Sequence, residues 1–234
     1  MSRWIGGELH LGRLGTRLLD AALPAVCPGC GVEGSAICPG CLPAFYRRDG
    51  TPAGISIGLP SEIPSPLLQL EWCAPFTGVA RRALHQLKYA GERRLTEPLG
   101  RAAARRWRAA GVGADLLAHV PVHEERGRQR GYDQAQLLAE VVGRTQHMPT
   151  ADLLRRARVT RAQYELGRGD RAANVAGAFE IASRQTDGAV DVEGRWILLV
   201  DDVVTTGATL AECARVLLAA GALGVSAVTV ARER

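Results

Sequence analysis

The stretch between residues 196 and 209, WILLVDDVVTTGAT, constrains the fold more than any other part of the chain. It begins with five apolar residues, which is typical of a strand buried on both faces of a parallel sheet. Asp201 and Asp202 follow where such a strand would emerge at its carboxyl edge. A turn rich in Thr and Gly then leads into apolar residues at helical spacing from Leu210 to Ala220. The stretch therefore predicts a strand, an acidic pair, a turn and a helix in direct succession.

This succession of elements has the chemistry of a ribose-phosphate site. The turn amides and the helix N-terminus would bind a phosphate, and Gly207 lets the backbone approach the anion closely. Asp201 and Asp202 would repel a phosphate, so they suit ribose hydroxyls or a Mg²⁺ ion held through water. The structural alternative is a capped strand–turn–helix with two solvated aspartates. The candidate phosphate-binding residues are Val203, Val204, Thr205, Thr206, Gly207, Ala208 and Thr209.

The same residues resemble the 5-phosphoribosyl-1-pyrophosphate (PRPP) signature of type I phosphoribosyltransferases. That signature has four apolar residues, two acids and then Thr-Thr-Gly-x-Thr, and every position matches here. The resemblance implies that PRPP binds with Mg²⁺ and that Asp201 and Asp202 are the catalytic acids. Regulators and binding proteins share this fold, so the signature indicates the ligand and leaves the reaction open.

Two Cys-Pro-Gly-Cys sequences near the N-terminus predict a metal site. Each Pro-Gly forms a tight turn that aims two sulfurs at one point, and four thiolates complete a tetrahedral Zn²⁺ site. Two disulfides are the alternative, but the chain shows no export signal and disulfides are rare in the cytoplasm. Cys73 and Cys213 lie in apolar segments and are predicted to be buried. The candidate ligands of a structural zinc are Cys27, Cys30, Cys38 and Cys41.

The order of the remaining segments predicts an α/β fold. Alternating strands and helices give right-handed crossovers and a mostly parallel sheet. Thr96 is the expected cap of the second helix, with Pro98 in its first turn. Residues 11–23 have helical spacing, and 49–66 are rich in Gly, Pro and Ser, as in a linker. The pattern predicts strands at 67–75, 116–122, 195–200 and 225–230, a short strand or turn at 151–154, and helices at 78–87, 96–110, 135–142 and 210–220.

Length and hydropathy limit the location and the number of domains. The 234 residues suit one domain and an appendage. We divide them into an N-terminal helix with a zinc module at 1–50 and a phosphoribosyltransferase-like domain at 67–234. No apolar run approaches the 18 residues of a membrane span, and the N-terminus lacks the apolar core of a signal peptide. We therefore expect a cytoplasmic protein with no transmembrane segment.

The basic residues suggest an anionic ligand. The formal net charge is +5, and nine Lys or Arg residues lie between Arg81 and Arg108 against two acids. Such density suits polyphosphate or nucleic acid, although a solvated helix face is the alternative. Lys88 is the single lysine among 29 basic residues, which hints at a position that needs a compact ammonium. Three arginines in the loop 123–134 could bind a pyrophosphate, and the polar segment 158–179 resembles a flap that closes over a ligand.

Taken together, these segments resemble the ComF family, which is named for competence and DNA uptake. The resemblance covers nearly the whole chain and implies a type I phosphoribosyltransferase-like fold with an N-terminal zinc module. Members often have Phe-Asn-Gln where this chain has Tyr132-Asp133-Gln134. Besides the cysteines and the PRPP signature, the matching motifs are Leu87-Lys88-Tyr89-x-Gly91, Val120-Pro121, Arg126 through Gln134, Arg158-x-Thr160-x2-Gln163, and Arg171-x2-Asn174-Val175-x2-Ala178-Phe179. The candidate pyrophosphate and flap residues are Lys88, Arg126, Arg130, Arg158, Arg161, Gln163 and Arg171.

Two functions remain open from the sequence. One is a protein that binds PRPP or another ribose phosphate and handles DNA during natural transformation, with single-stranded DNA and the uptake machinery as partners. The other is an active phosphoribosyltransferase that transfers ribose 5-phosphate from PRPP to a base or another nucleophile; a PRPP-sensing regulator is a third alternative. The candidate DNA-binding residues are Arg81, Arg82, Lys88, Arg93 and Arg94, with Tyr89, Trp72 and Trp107 as nearby aromatic residues.

Overall fold

A four-stranded parallel sheet lies at the centre of the computed structural model, which describes residues 24–53, 64–110, 113–122, 127–128, 130–156, 176–182 and 191–233. The strands of the described residues are β1 (Gln69–Pro75), β2 (Leu116–His119), β3 (Leu154–Arg156), β4 (Phe179–Ile181), β5 (Trp196–Val204) and β6 (Gly224–Arg232). The order in the sheet is β1-β6-β5-β2, and every pair is parallel. Strands β3 and β4 form a separate antiparallel pair.

Four α-helices of the described residues cover the two faces of this sheet. They are α1 (Gly78–Tyr89), α2 (Thr96–Ala109), α3 (Gln134–Gln146) and α4 (Ala208–Ala219). Leu198 and Val200 of β5 belong to the core cluster that contains residues of α1, α2 and α3. Ile197 and Leu199 belong to the cluster that contains residues of α4. Successive side chains of a strand point to opposite faces, so β5 is buried on both sides, as predicted.

The central strand is longer than the sequence predicted. We expected it to end at Val200, but β5 continues through both aspartates to Val204. The reason is that β6 keeps supplying partners, up to Val204 opposite Arg232, whereas pairing with β2 ends at His119 opposite Val200. On the β6 side, the acidic pair is therefore still part of the paired sheet. On the β2 side, it lies beyond the last paired residue.

The caps of two helices correct the sequence analysis. Thr96 does not cap α2; a short 3-10 turn runs directly into the helix, and Leu95 takes the cap position. Among the described residues, the buried Oγ1 of Thr96 has no hydrogen-bond partner. Helix α3 begins one residue earlier than predicted because Asp133 caps it, accepting hydrogen bonds from the amides of Ala135 and Gln136.

A buried ion cluster attaches residues 48–52 to the sheet. Glu71 of β1 is fully buried, and its Oε2 accepts a hydrogen bond from Nε of Arg106 at 2.7 Å. Arg106 also donates to the backbone carbonyls of Arg48 and Thr51. Burial and the charge of Arg106 lower the pKa of Arg48 to about 10, although Glu71 partly offsets them. Glu71 compensates the buried charges of Arg48 and Arg106, and removal of any one of the three would leave a buried charge without a partner.

Several expectations concern residues outside the described part of the chain. The predicted N-terminal helix at 11–23 and most of the predicted linker lie there. The division into residues 1–50 and 67–234 stays a prediction. Among the described residues, no helix has both the length and the apolar content to cross a membrane.

Candidate functional site

The four predicted zinc ligands lie together at the N-terminal end of the described chain. All four Sγ atoms lie within 4.8 Å of one another, and those of Cys30 and Cys38 are 3.5 Å apart. Zinc–sulfur bonds of about 2.3 Å in a tetrahedron would separate the sulfurs by about 3.8 Å. The arrangement therefore fits one Zn²⁺ bound by Cys27, Cys30, Cys38 and Cys41.

The charges of the four thiols also favour a cation. Burial opposes ionisation of Cys27, but hydrogen bonds from the amides of Cys38, Cys30 and Gly29 outweigh it and lower the pKa of that thiol to about 6. Burial and the neighbouring thiols raise the pKa of Cys41 to about 12. Four thiolates therefore do not form side by side without a positive charge between them, which Zn²⁺ would supply.

Helix α1 packs against the first cysteine knuckle. Arg82 donates from its guanidinium to the carbonyls of Pro28 and Gly29. A Cβ atom on Gly29 would lie 2.3 Å from Sγ of Cys41 and 3.2 Å from Cγ2 of Val79 in the first turn of α1. The knuckle, the second pair of cysteines and α1 thus meet at a position that has room only for glycine.

At the other end of α1, Lys88 contacts the acidic pair. Its Nζ lies 2.7 Å from Oδ2 of Asp202, and both side chains are largely buried. Burial acts to lower the pKa of Lys88, but the charge of Asp202, the hydrogen bond to it and the charge of Asp201 together raise that pKa. The structure places the single lysine against a carboxylate that we assigned to ribose or metal.

The two aspartates differ in their surroundings. Asp202 carries the ion pair with Lys88, and its amide donates to Oδ1 of Asp201 at 2.7 Å. Burial and the adjacent charge of Asp202 raise the pKa of Asp201 well above its ordinary value. Both offer only oxygen ligands, which Mg²⁺ prefers. Because successive side chains of a strand point to opposite faces, a Mg²⁺ ion here would take one of these carboxylates and draw its remaining ligands from water or other oxygens.

The turn after β5 has the backbone that a phosphate loop needs. Gly207 has φ +80°, in the left-handed region, and stands at the N-cap of α4. A Cβ atom there would lie 2.3 Å from Cγ of Pro64, so glycine is required by conformation and by space. Thr206 is exposed, and its Oγ1 accepts a weak hydrogen bond from Ala208 N at 3.4 Å. The amides between Thr205 and Thr209 lie at the N-terminus of a 12-residue helix, which favours an anion.

Three consecutive residues at the end of α1 join the acidic pair to the arginine-containing loop. The hydroxyl of Tyr132 donates to the carbonyl of Leu87. Lys88 reaches Asp202, as described above. Tyr89 lies beneath the guanidinium of Arg130, whose Cζ is 5.1 Å from the ring centroid. The segment Leu87-Lys88-Tyr89 is thus a junction between two parts of the candidate site.

The loop itself is held by polar contacts that the sequence did not reveal. Arg130 donates to Oε1 of Gln134 at 2.9 Å. Arg93 donates to the carbonyl of Gly131 at 3.0 Å and lies over the ring of Tyr132. These contacts bring the loop, the end of α1 and the turn before α2 to the carboxyl end of the sheet.

Asp133 and His119 extend this network to β2. Asp133 Oδ2 accepts a hydrogen bond from Val122 N and lies 3.7 Å from Nε2 of His119, while Asp152 lies 3.5 Å from Nδ1 of the same ring. Sequence analysis missed the cap, although Asp before an apolar helical pattern is a cap signal. Nothing in the local sequence indicated the position of His119 between two carboxylates.

Part of the predicted site lies outside the described residues. Those candidates are Arg126, Arg158, Arg161, Gln163 and Arg171. The described chain resumes at residue 176, where the amide of Gly177 donates to Oε1 of the buried Glu212 in α4. The described end of the predicted flap is therefore fixed to α4, the helix that follows the Gly207 turn.

The predicted DNA patch is largely occupied by contacts within the protein. Trp72 and Trp107 are buried and cannot stack on a base, so this part of the expectation is wrong. Arg82 is bonded to the cysteine knuckle, and Arg94 forms an ion pair with Glu92 at 2.6 Å. Of the aromatic residues in the patch, Tyr89 is the exposed one.

Comparisons with known proteins show which family this chain belongs to. Residues 136–234 match the family model of the phosphoribosyl transferase domain. The DNA utilization protein YhgH of Escherichia coli is 30% identical over 229 residues, which cover 94% of this chain and 95% of that protein. Competence protein F of Haemophilus influenzae is 34% identical over 104 residues, 44% of each chain. Competence protein ComFC of Bacillus subtilis is 36% identical over 119 residues, 50% of this chain and 45% of that one.

Proposed function

Because this chain belongs to the ComF family and has the type I phosphoribosyltransferase-like fold, we propose that it binds PRPP or another ribose 5-phosphate together with Mg²⁺. The observation that carries this proposal is the placement of Asp201 and Asp202 at the carboxyl end of β5. They lie beyond the last residue of β2 and directly before the Gly207 turn and α4. Ligands of open parallel sheets bind at this end of the strands.

Each part of the site has a separate task in this proposal. The amides of the turn bind the 5-phosphate, and the two aspartates accept hydrogen bonds from the ribose hydroxyls. A bound Mg²⁺ supplies positive charge to the pyrophosphate oxygens. Lys88 compensates the charge of Asp202 while no ligand is present, since a buried lone carboxylate is costly. We infer that ribose or metal takes over part of this compensation.

We further propose that the ribose-phosphate site serves the handling of DNA during natural transformation in the cytoplasm. Support comes from the relatives, two of which are named as competence proteins and one as a DNA utilization protein. In this proposal the zinc module is structural, because four cysteine ligands leave no coordination position open for catalysis.

An active phosphoribosyltransferase is the second candidate function. The observation that favours it is Arg130, a candidate pyrophosphate residue that lies over Tyr89, the residue next to Lys88 of the ion pair with Asp202. Displacement of pyrophosphate from PRPP needs little more than positive charge at the leaving group and carboxylates near the developing positive charge of the ribose. Release of pyrophosphate from PRPP on addition of a nucleobase would favour this function. Binding of PRPP without release, over a panel of bases, would favour the binding protein.

Calorimetry with PRPP and Mg²⁺ tests the proposed ligand. We expect Asp202→Asn to weaken binding by about 1–3 kcal/mol, because a charge-assisted contact to ribose or metal is lost. Thr206→Ala should cost less, because the backbone amides remain. Asp191→Asn is a matched control: it removes the same charge from an exposed side chain that precedes β5, at the opposite end of that strand from the acidic pair. If Asp202→Asn and Thr206→Ala both bind PRPP as the parent does, the turn is an ordinary helix cap.

A further inference from the structure

Two exposed aromatic rings lie side by side at the end of α1. His85 and Tyr89 are four residues apart, so they share one helix face, and their ring centroids are 4.7 Å apart at an angle of 48°. Tyr89 is 66% exposed, which is unusual for a side chain with so large an apolar ring. A guanidinium lies over the ring of Tyr89.

That guanidinium belongs to Arg130, which lies over the ring of Tyr89 and is held in place by Gln134. Gln134 is buried at the start of α3, so it fixes the arginine on the protein side. Arg93, one turn beyond Tyr89 along the chain, is exposed as well. We call His85, Tyr89, Arg93 and Arg130 the aromatic–cationic ridge. It combines flat rings with two positive charges that are not paired to a carboxylate in the described hydrogen bonds.

This combination is what a single-stranded nucleic acid requires of its partner. Bases stack on aromatic rings and on guanidinium planes, while arginines follow the phosphates. The ridge is open to solvent and offers flat faces. A free base in an enzyme is usually enclosed and recognised at its hydrogen-bonding edge, and the ridge provides no such enclosure. The physical features therefore favour a base that is presented by a strand.

We propose that the aromatic–cationic ridge stacks one or two bases of a single-stranded nucleic acid, with Arg93 and Arg130 close to the adjacent phosphates. The inference deepens the proposed role in DNA handling and rests on it for the choice of ligand. The ridge lies outside the phosphate turn but includes Arg130, a candidate pyrophosphate residue. Tyr89→Ala, which removes no residue assigned to PRPP, is therefore the variant that separates binding of a strand from binding of PRPP.

The experiment measures fluorescence anisotropy of a labelled oligothymidylate at low salt. Tyr89→Ala should weaken binding by about tenfold or more, as loss of one stacked base does, and Tyr89→Phe should bind as the parent does because the ring remains. Arg130→Ala should weaken binding, whereas Arg105→Ala should not. Arg105 is the matched control, since it also lies over a tyrosine ring, Tyr46, but beside the N-terminal module.

A second strand separates stacking from charge. An abasic oligonucleotide keeps every phosphate and offers no ring. The parent should bind it more weakly than oligothymidylate, and Tyr89→Ala should bind the two strands alike. The proposal is overturned if Tyr89→Ala binds oligothymidylate as tightly as the parent, if the parent does not distinguish the abasic strand, or if free nucleobase displaces the strand.

Calorimetry with PRPP on the parent protein shows which proposal has failed. If PRPP binds and the oligonucleotide does not, the ridge proposal is wrong and the ribose-phosphate proposal stands. If the oligonucleotide binds with the expected dependence on Tyr89 and PRPP does not bind, the ribose-phosphate proposal is wrong and the ridge stands.

Discussion

Replacing Gly29 with alanine tests how closely the structure defines the zinc site. The new Cβ would lie 2.3 Å from Sγ of Cys41, whereas ordinary contact begins at 3.4 Å. One of the two atoms must therefore move by about 1.1 Å, the difference between these distances. Ligand distances at a metal site tolerate only about 0.2 Å. Val79, at 3.2 Å, and Cβ of Cys41, at 3.0 Å, limit movement in other directions, so the collision should displace the sulfur from the metal.

The parent protein should contain about one equivalent of Zn²⁺ when it is purified under reducing conditions. Gly29→Ala should release its zinc at a chelator concentration about tenfold to a hundredfold lower than the parent does. That is the usual loss of metal affinity when the residues that support a metal ligand are disturbed. The matched control is Gly40→Ala in the second knuckle. Its Cβ would meet only Sγ of Cys38, at an ordinary 3.9 Å, so it should retain the parent's affinity. Metal analysis with a chelator titration measures both variants.

Thermal unfolding of the same variants shows whether the metal supports the fold. Because binding of a structural zinc is part of the folding free energy, Gly29→Ala should unfold at a lower temperature than Gly40→Ala. Equal zinc content and equal chelator midpoints for the two variants would refute the four-sulfur geometry. Absence of zinc from the freshly reduced parent protein would refute the site itself.

Three further predictions concern buried charges and the helix cap. Glu71→Gln leaves Arg106 without its buried carboxylate and should cost about 3–5 kcal/mol in urea unfolding, whereas a loss below 1 kcal/mol would show that water reaches the cluster. Asp133→Ala removes the cap of α3 and should cost about 0.5–2 kcal/mol in the same assay. Because the folded pKa of Lys88 lies above its ordinary 10.5, the stability that its pair with Asp202 provides is full below that pH and is lost as pH rises through the folded value. The stability difference between the parent and Lys88→Met should therefore shrink only above about pH 10.5, and a difference that shrinks between pH 6 and 9 would contradict the ion pair.

The parts of the site that the sequence predicted are local in the chain. A buried strand, two acids and a Thr/Gly turn follow one another within 14 residues, so their order alone places them at one edge of the sheet. The cysteines are equally local, and their spacing predicted the cluster that the structure shows. The α/β fold followed from the alternation of such patterns.

The contacts that were missed join distant segments. Lys88 was singled out as the only lysine, but no local pattern connected it to Asp202, which lies on another element. The sequence analysis did not single out Glu71 in its apolar strand, and its partner Arg106 is one of many arginines of a basic helix. Trp72 was named as an aromatic residue of the DNA patch because it lies not far from the basic helix in sequence. The structure shows that Trp72 is buried, because it belongs to a strand whose side chains are buried on both faces of the sheet.

Helix α1 illustrates why the rest needed the structure. Its first turn contacts the cysteine knuckle through Val79 and Arg82, and its last turn contacts the acidic pair through Lys88. The sequence shows an amphipathic basic helix. Only the packing shows that the same helix contacts both the cysteine knuckle and the acidic pair.

The most direct test of the central claim is a crystal structure of the protein with PRPP and Mg²⁺. We predict that the 5-phosphate lies against the amides between Thr205 and Thr209 and that the ribose hydroxyls contact Asp201 and Asp202. Nζ of Lys88 should then be farther from Oδ2 of Asp202 than the present 2.7 Å. A phosphate bound elsewhere, or an unchanged ion pair and an empty turn at a PRPP concentration that saturates binding in solution, would contradict the account.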